Sequence, residues 1–292
     1  MGIPAEVTAR VRLRRRRAAA VLLAAAGFGF FVGADLAREG TNENPASAVR
    51  EAGSTVSGAT AARRFAAIRQ GRIAFSITDS RGGHADLDGG GSYVAASTSK
   101  VLLLAADLDR ALRAGEPVAD ERAALLSQMI RESDNDAANE VYADVGDPGM
   151  RAVARKAGMD DFLIGPTRIA SCRCAAVRWA RAQVTANDLA RLMGRLDRVL
   201  PARDAAFGRG LLASVIPSQR WGTPQVAEPR WRVLFKNGVR ITPAGVLVHQ
   251  AARLEGRDGR VISLAVLTDG SPSEAYGHAT VRGIAQRLLN AA

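Results

Sequence analysis

Two serines and two lysines stand at spacings that could carry out acyl transfer. Ser97 and Lys100, in "AASTSK" (95–100), are three positions apart, so on a helix they share a face and their side chains can meet. A serine hydroxyl is a weak nucleophile until a base takes its proton. A lysine becomes that base when burial or a neighbouring positive charge lowers its pKa. The run that follows, "VLLLAADL" (101–108), is apolar on every face, which marks a buried helix. At its start, backbone N–H groups would also face any anion that develops. Lysine is scarce here: 37 of the 40 basic residues are arginine, and only Lys100, Lys156 and Lys236 are not. Arginine serves where charge is enough, but only the amine readily gives up its proton.

Ser133-Asp134-Asn135 and Lys236-Asn237-Gly238 complete the set. Each has a plainer explanation. Serine, aspartate and asparagine all cap helices, and Asn-Gly often turns a strand. The conjunction of all three elements is more telling than any part, because two of the three lysines in the chain, Lys100 and Lys236, fall in the first and the third.

The elements that must position these residues can be read around them. "ATAARRFAAIRQG" (59–71) is a helical pattern, "RIAFSITDS" (72–80) a strand, and "RGG" a turn. "DERAALLSQMI" (120–130) is helical and ends at Ser133-Asp134-Asn135. Asp147 as a cap, Pro148 in the first turn and Gly158 as a stop bound a further helix. Thr185 and Asp188 open another in capping-box spacing. From Trp231, three strand-like runs follow, "WRVLFKNGV", "AGVLVHQAARL" and "VISLAVLTDG", the last two joined by the hairpin signal "EGRDGR"; an amphipathic helix closes the chain. One early strand, helices between and three late strands predict an α+β fold: an antiparallel sheet flanked by N- and C-terminal helices, with an inserted all-helical lobe.

At 292 residues, 47% hydrophobic and 24% charged, the chain can bury a sizeable core. The net charge of +11 is concentrated at one end, since residues 1–17 carry six arginines and one glutamate. With the remaining charges interspersed and aromatics at 5%, there is no basic stripe or stacking platform for nucleic acid. "RVRLRRRR" (10–17) before the uncharged 18–34 is the pattern of export or membrane insertion. Its 17 residues fit a long signal core or a minimal spanning helix. The expected organisation is 1–38 as signal or membrane anchor, 39–58 as polar linker and 59–292 as the catalytic domain. Cys172 and Cys174, in "SCRC", are too close for an unstrained disulfide. With histidines only at 84, 249 and 278, no metal-ligand spacing appears. No cofactor is expected.

The Ser97–Lys100, Ser133-Asp134-Asn135 and Lys236-Asn237-Gly238 set resembles that of the penicillin-recognising serine enzymes. These are the serine β-lactamases and DD-peptidases, class A β-lactamases most closely. The likeness runs from about residue 60 to the end and takes in "AASTSK", "VTANDLARLM" and the closing strands and helix. The resemblance implies that Ser97 attacks an amide or β-lactam carbonyl, with Lys100 taking its proton. Ser133 would protonate the leaving nitrogen, and Asn135 would hold Lys100 and substrate. Lys236 would receive the substrate carboxylate and help keep the Lys100 pKa low, and Gly238 would let substrate lie against the strand. The backbone N–H groups of Ser97 and Val239 would form the oxyanion hole. A monomer outside the cytoplasm is implied, acting on a β-lactam or a peptidoglycan stem-peptide-like substrate.

Three departures shape the expectation. Asn237 stands where the family has a hydroxyl, so an amide is expected to contact substrate. Ser133 follows Ser97 by only 36 positions, which implies a trimmed helical lobe and a more open cleft. No Asp or Glu occurs between Asp161 and Asp188, where class A enzymes carry the glutamate that activates the deacylating water. An acyl-enzyme should then persist. The alternative is a membrane-tethered module that binds penicillin or peptidoglycan without turnover.

Overall fold

The late strands are buried on both faces, and their successive side chains point alternately into two cores. Phe75, Ile77, Val248, Leu254, Ile262 and Leu264 pack on one side of the sheet with Ala59, Ala62, Ile284 and Leu288 of the terminal helices. Ala74, Leu234, Ala251, Ala265 and Leu267 face the other way, into a core shared with the helical lobe. Because successive side chains on a strand point to opposite faces, one sheet can serve two layers. The computed structural model describes residues 58–165 and 173–290, with side chains except those of 173–176.

Helix α1 spans 58–67. It leads into β1 (Arg72–Asp79), the short β2 (His84–Leu87) and the two-residue β3 (Tyr93–Val94). A 3-10 turn, Ala96–Ser99, opens α2 (Lys100–Ala114), and α3 (Asp120–Ser127) runs into a π turn at Gln128–Glu132. Helix α4 (Asn135–Ala157) breaks at Gly146, whose φ of 56° and ψ of −171° are not helical. A 3-10 stretch, Arg173–Arg181, leads to β4 (Gln183–Val184) and to α5 (Ala186–Gly194), α6 (Leu196–Val199), α7 (Ala205–Ala213) and α8 (Thr223–Ala227). Strands β5 (Arg232–Thr242), β6 (Gly245–Glu255) and β7 (Val261–Ser271) and helix α9 (Glu274–Leu289) complete the chain.

The five-stranded sheet has the order β2-β1-β7-β6-β5 with antiparallel neighbours, which leaves β5 on an edge. This is the expected α+β arrangement. The structure adds β2 and the β3–β4 pair. Asn237-Gly238 does not turn: β5 runs through it to Thr242. The stop at Gly158, with φ of 70°, and the Thr185 cap, which accepts from Asp188 N, are as expected. Asp147, expected as a cap, instead accepts hydrogen bonds from the side chains of Tyr142, Arg151 and Arg178. Residues 1–57 and Cys172, with the side chain of Cys174, lie outside the described residues, so the export segment and "SCRC" do too. Among the described residues, no helix is long and apolar enough to cross a membrane.

Candidate active site

Ser97 is presented by a strained turn. Ala96, just before it, has φ of 48°, a left-handed conformation that costs a residue with a Cβ. The turn is pinned by its neighbours' hydroxyls: Thr98 Oγ1 donates to Ala95 O at 2.6 Å and Ser99 Oγ to Ala96 O at 2.8 Å. Ser97 thereby lines a cleft of about 220 Å³ with Asn135, Val177, Trp179, Val239 and Arg240 among the walls. Strand β5 comes close because of Gly238. A Cβ there would sit 3.2 Å from Ala95 O and Ala96 Cβ and 3.3 Å from Ser97 N.

Behind Ser97 the two lysines meet. Lys100, at the first position of α2, and Lys236, on β5, are both wholly buried. Lys100 Nζ donates to Ser133 O at 2.5 Å, to Asn135 Oδ1 at 2.9 Å and to Ser133 Oγ at 3.3 Å. Lys236 Nζ donates to the same Ser133 Oγ at 2.9 Å and to Asn237 O at 3.3 Å. Ser133 can offer both carbonyl and hydroxyl because it closes the π turn in a left-handed conformation, φ 62°. Next to it Asp134 caps α4, accepting from Ala137 N at 2.7 Å, so the capping reading of this tripeptide holds at Asp134, while Ser133 and Asn135 contact Lys100. Irregular helical turns of this kind recur at functional sites.

Burial sets the electrostatics. Desolvation pushes the Lys100 pKa down to about 7, against an opposing pull from Asp134. Lys236 is pushed well below its ordinary value, first by burial and then by the charge of Lys100. The depression at Lys100 therefore comes from burial, and the repulsion between the lysines registers at Lys236. A lysine near 7 can hold or release a proton at neutral pH. No partner for Ser97 Oγ is found among the described residues; the three contacts of Lys100 Nζ go to Ser133 and Asn135.

The far wall is apolar. The Trp179 ring centre lies 4.9 Å from Lys100 Nζ, and its Nε1 donates to Asn139 Oδ1 at 2.9 Å. Arg178 beside it bonds Asp147 and, at 3.2 Å, Tyr142 Oη, which ties this stretch to α4. No carboxylate is among the described residues that line the cleft.

The structure thus gathers Ser97, Lys100, Ser133, Asn135, Lys236, Gly238 and Val239 around one cleft. Asn237 departs from its expectation. It is buried, its Nδ2 donates to Gln219 O at 2.7 Å, and its Oδ1 accepts from Gln250 Nε2 at 2.7 Å. Strand parity is the reason: Asn237 shares the face of Val233 and Phe235, opposite Lys236 and Gly238. Its amide ties β5 to neighbouring protein. Sequence reasoning passed over Trp179 and Arg240, for which the only available signals were the acid-free segment and the strand period.

The model described as the beta-lactamase enzyme family matches residues 122–292, taking in Ser133 and Lys236. No curated protein matches the chain. Among solved structures it is similar to a class A beta-lactamase from Bacteroides cellulosilyticus, at TM-score 0.71 and 13% identity over 82% of this chain and 98% of that one. A beta-lactamase from Chitinophaga pinensis gives 0.68 and 15% over 80% and 98%. One from Sphaerobacter thermophilus gives 0.66 and 19% over 81% and 97%. At these identities the likeness is one of fold.

Proposed function

The chain belongs to the beta-lactamase enzyme family, and from that footing we propose that it is an exported serine hydrolase forming an acyl-enzyme at Ser97. Its substrates would be β-lactams or peptidoglycan-like amides, and its deacylation slow. The observation that carries this reading is the Lys100–Ser133–Lys236 array behind a serine on an open cleft. Export rests on the basic and apolar pattern of residues 10–34.

In this reading Ser97 Oγ attacks the carbonyl carbon while its proton passes to neutral Lys100, directly or through Ser133. The carbonyl oxygen becomes an oxyanion, received by the N–H groups of Ser97 and Val239. On collapse the C–N bond breaks, and Ser133 Oγ gives its proton to the departing nitrogen. That hydroxyl is replenished from the lysines it contacts. Lys236 supplies the positive field for a carboxylate on the leaving side. Hydrolysis of the ester then needs a base for water. The described lining offers none, and Trp179 occupies the approach to Lys100.

A second reading, a membrane-tethered binding or sensing module, draws on one observation: the Lys100 contacts go to Ser133 and Asn135. Exposure of the chain to a fluorescent penicillin, with intact mass followed over time beside Ser97→Ala, separates the two. Lasting label on Ser97, absent from the variant, is the expected result. Label that clears within seconds would overturn slow deacylation, and no label with any β-lactam or simple ester would leave the binding module.

A further inference from the structure

Arg240 is a basic side chain in the cleft that the reaction scheme leaves unused. It lines the cleft with Ser97, Asn135, Val177, Trp179 and Ala180. On β5 it shares a face with Lys236 and Gly238, and it stands roughly 7 Å along the strand from Gly238, with Lys236 about as far on the other side. Gly238 is the residue packed against the backbone of Ser97. Two basic side chains therefore bracket Gly238, which packs on the nucleophile's backbone, along one strand.

Their positions are chemically distinct. Ser133, the proton donor to the leaving nitrogen, is hydrogen-bonded to Lys236, so the leaving half of a substrate occupies the Lys236 side. The acyl half must then extend past Gly238 toward Arg240. Among the described residues Arg240 has no carboxylate within ion-pair distance, and no Asp or Glu lines the cleft. An anion arriving there would find a guanidinium able to bind it with two parallel hydrogen bonds.

We propose that Arg240 is an anion subsite for the acyl half, so that favoured acyl donors carry a carboxylate on the acyl side of the scissile bond. This rests on the Ser97 acyl-enzyme reading. It deepens that reading by naming the substrate class: amides with an acidic group on each side of the reacting carbonyl.

Benzylpenicillin and α-carboxybenzylpenicillin differ by one carboxylate on the acyl side and serve as the probes. On the full chain, the second should label Ser97 about tenfold faster at low salt, the scale of a partly exposed charge-assisted pair. Arg240→Gln should bring the ratio of the two rates to near one, and Arg240→Lys should restore part of it. Equal rates in the unmodified chain, or a ratio that Arg240→Gln leaves unchanged, would overturn the proposal. Binding of the same two penicillins to Ser97→Ala measures the subsite without reaction. An Arg240-dependent preference there supports the subsite even if labelling fails, in which case the acyl-enzyme reading alone falls. No preference in binding or in rate sinks the subsite.

Discussion

Lys100 and Lys236, 136 positions apart in sequence, converge on one hydroxyl: Ser133 Oγ lies 3.3 Å from the first ammonium nitrogen and 2.9 Å from the second. Two buried amines on one oxygen repel each other, which favours keeping one of them neutral. The hydroxyl between them is well placed to relay a proton from the nucleophile's base to the leaving nitrogen. Ser133→Ala removes the relay and leaves the Ser133 carbonyl contact to Lys100 in place. Acylation of Ser97 should fall by about 10²–10⁴-fold, the usual size of a lost acid–base group, while thermal stability changes little. Labelling rates within threefold of the unmodified chain would remove Ser133 from the reaction.

The pH dependence follows from Lys100. Its pKa of about 7 results from burial, and only the neutral amine can accept the Ser97 proton. The acylation rate should therefore be low at acid pH, climb about tenfold per unit below 7 and level off above it. Initial labelling rates between pH 5 and 9 report this directly. A flat profile would mean that Lys100 is not the base. Lys100→Arg should abolish the rise, since arginine stays charged throughout.

The residues that meet behind the cleft were legible in the sequence because they are chemically odd. Lysines are rare in this arginine-rich chain, and two of them fall at Ser-x-x-Lys and Lys-Asn-Gly. Strands β5 to β7 were legible as long strand-like runs, the last two joined by a hairpin signal. Strands β2, β3 and β4 were not, because two to four residues are too few to show a period. The face that Asn237 turns toward could not be read without the register of β5, which tertiary packing fixes. The sequence likewise revealed an acid-free segment without saying what fills the space. Within that segment Trp179 lines the cleft near Lys100 and is tied to α4 by the Trp179–Asn139 contact, as Arg178 is by Asp147.

Gly238 tests how closely the strand must approach. A Cβ at this position would press on Ala95 O, Ala96 Cβ and Ser97 N at 3.2–3.3 Å, and backbone atoms cannot swing aside. Gly238→Ala should cost roughly 1–3 kcal/mol of stability, as overpacking does. It should also slow acylation at least tenfold by displacing β5 from the nucleophile. Denaturant unfolding and labelling measured together decide it: normal acylation in a fully folded variant would show that the close approach is dispensable.

Trp179 is the side chain that tests the proposed slow deacylation. Its ring lies 4.9 Å from Lys100 Nζ, is almost wholly buried and forms part of the cleft wall that carries no carboxylate. The ring is thus part of the surroundings whose burial lowers the Lys100 pKa. Trp179→Glu would place an acid at that wall and admit water beside it. The acyl-enzyme lifetime should then shorten by at least about tenfold, within the usual contribution of a general base. The midpoint of the acylation pH profile should also rise above 7, because rewetting and a nearby negative charge both favour the protonated amine. Trp179→Phe keeps a ring but loses the bond to Asn139, so it should retain a long-lived label. Trp179→Ala controls for lost packing, since it destabilises the fold without supplying a base. If Glu shortened the label no more than Ala, and neither moved the pH midpoint, Trp179 would be a packing residue, and the persistence of the acyl-enzyme would need another cause.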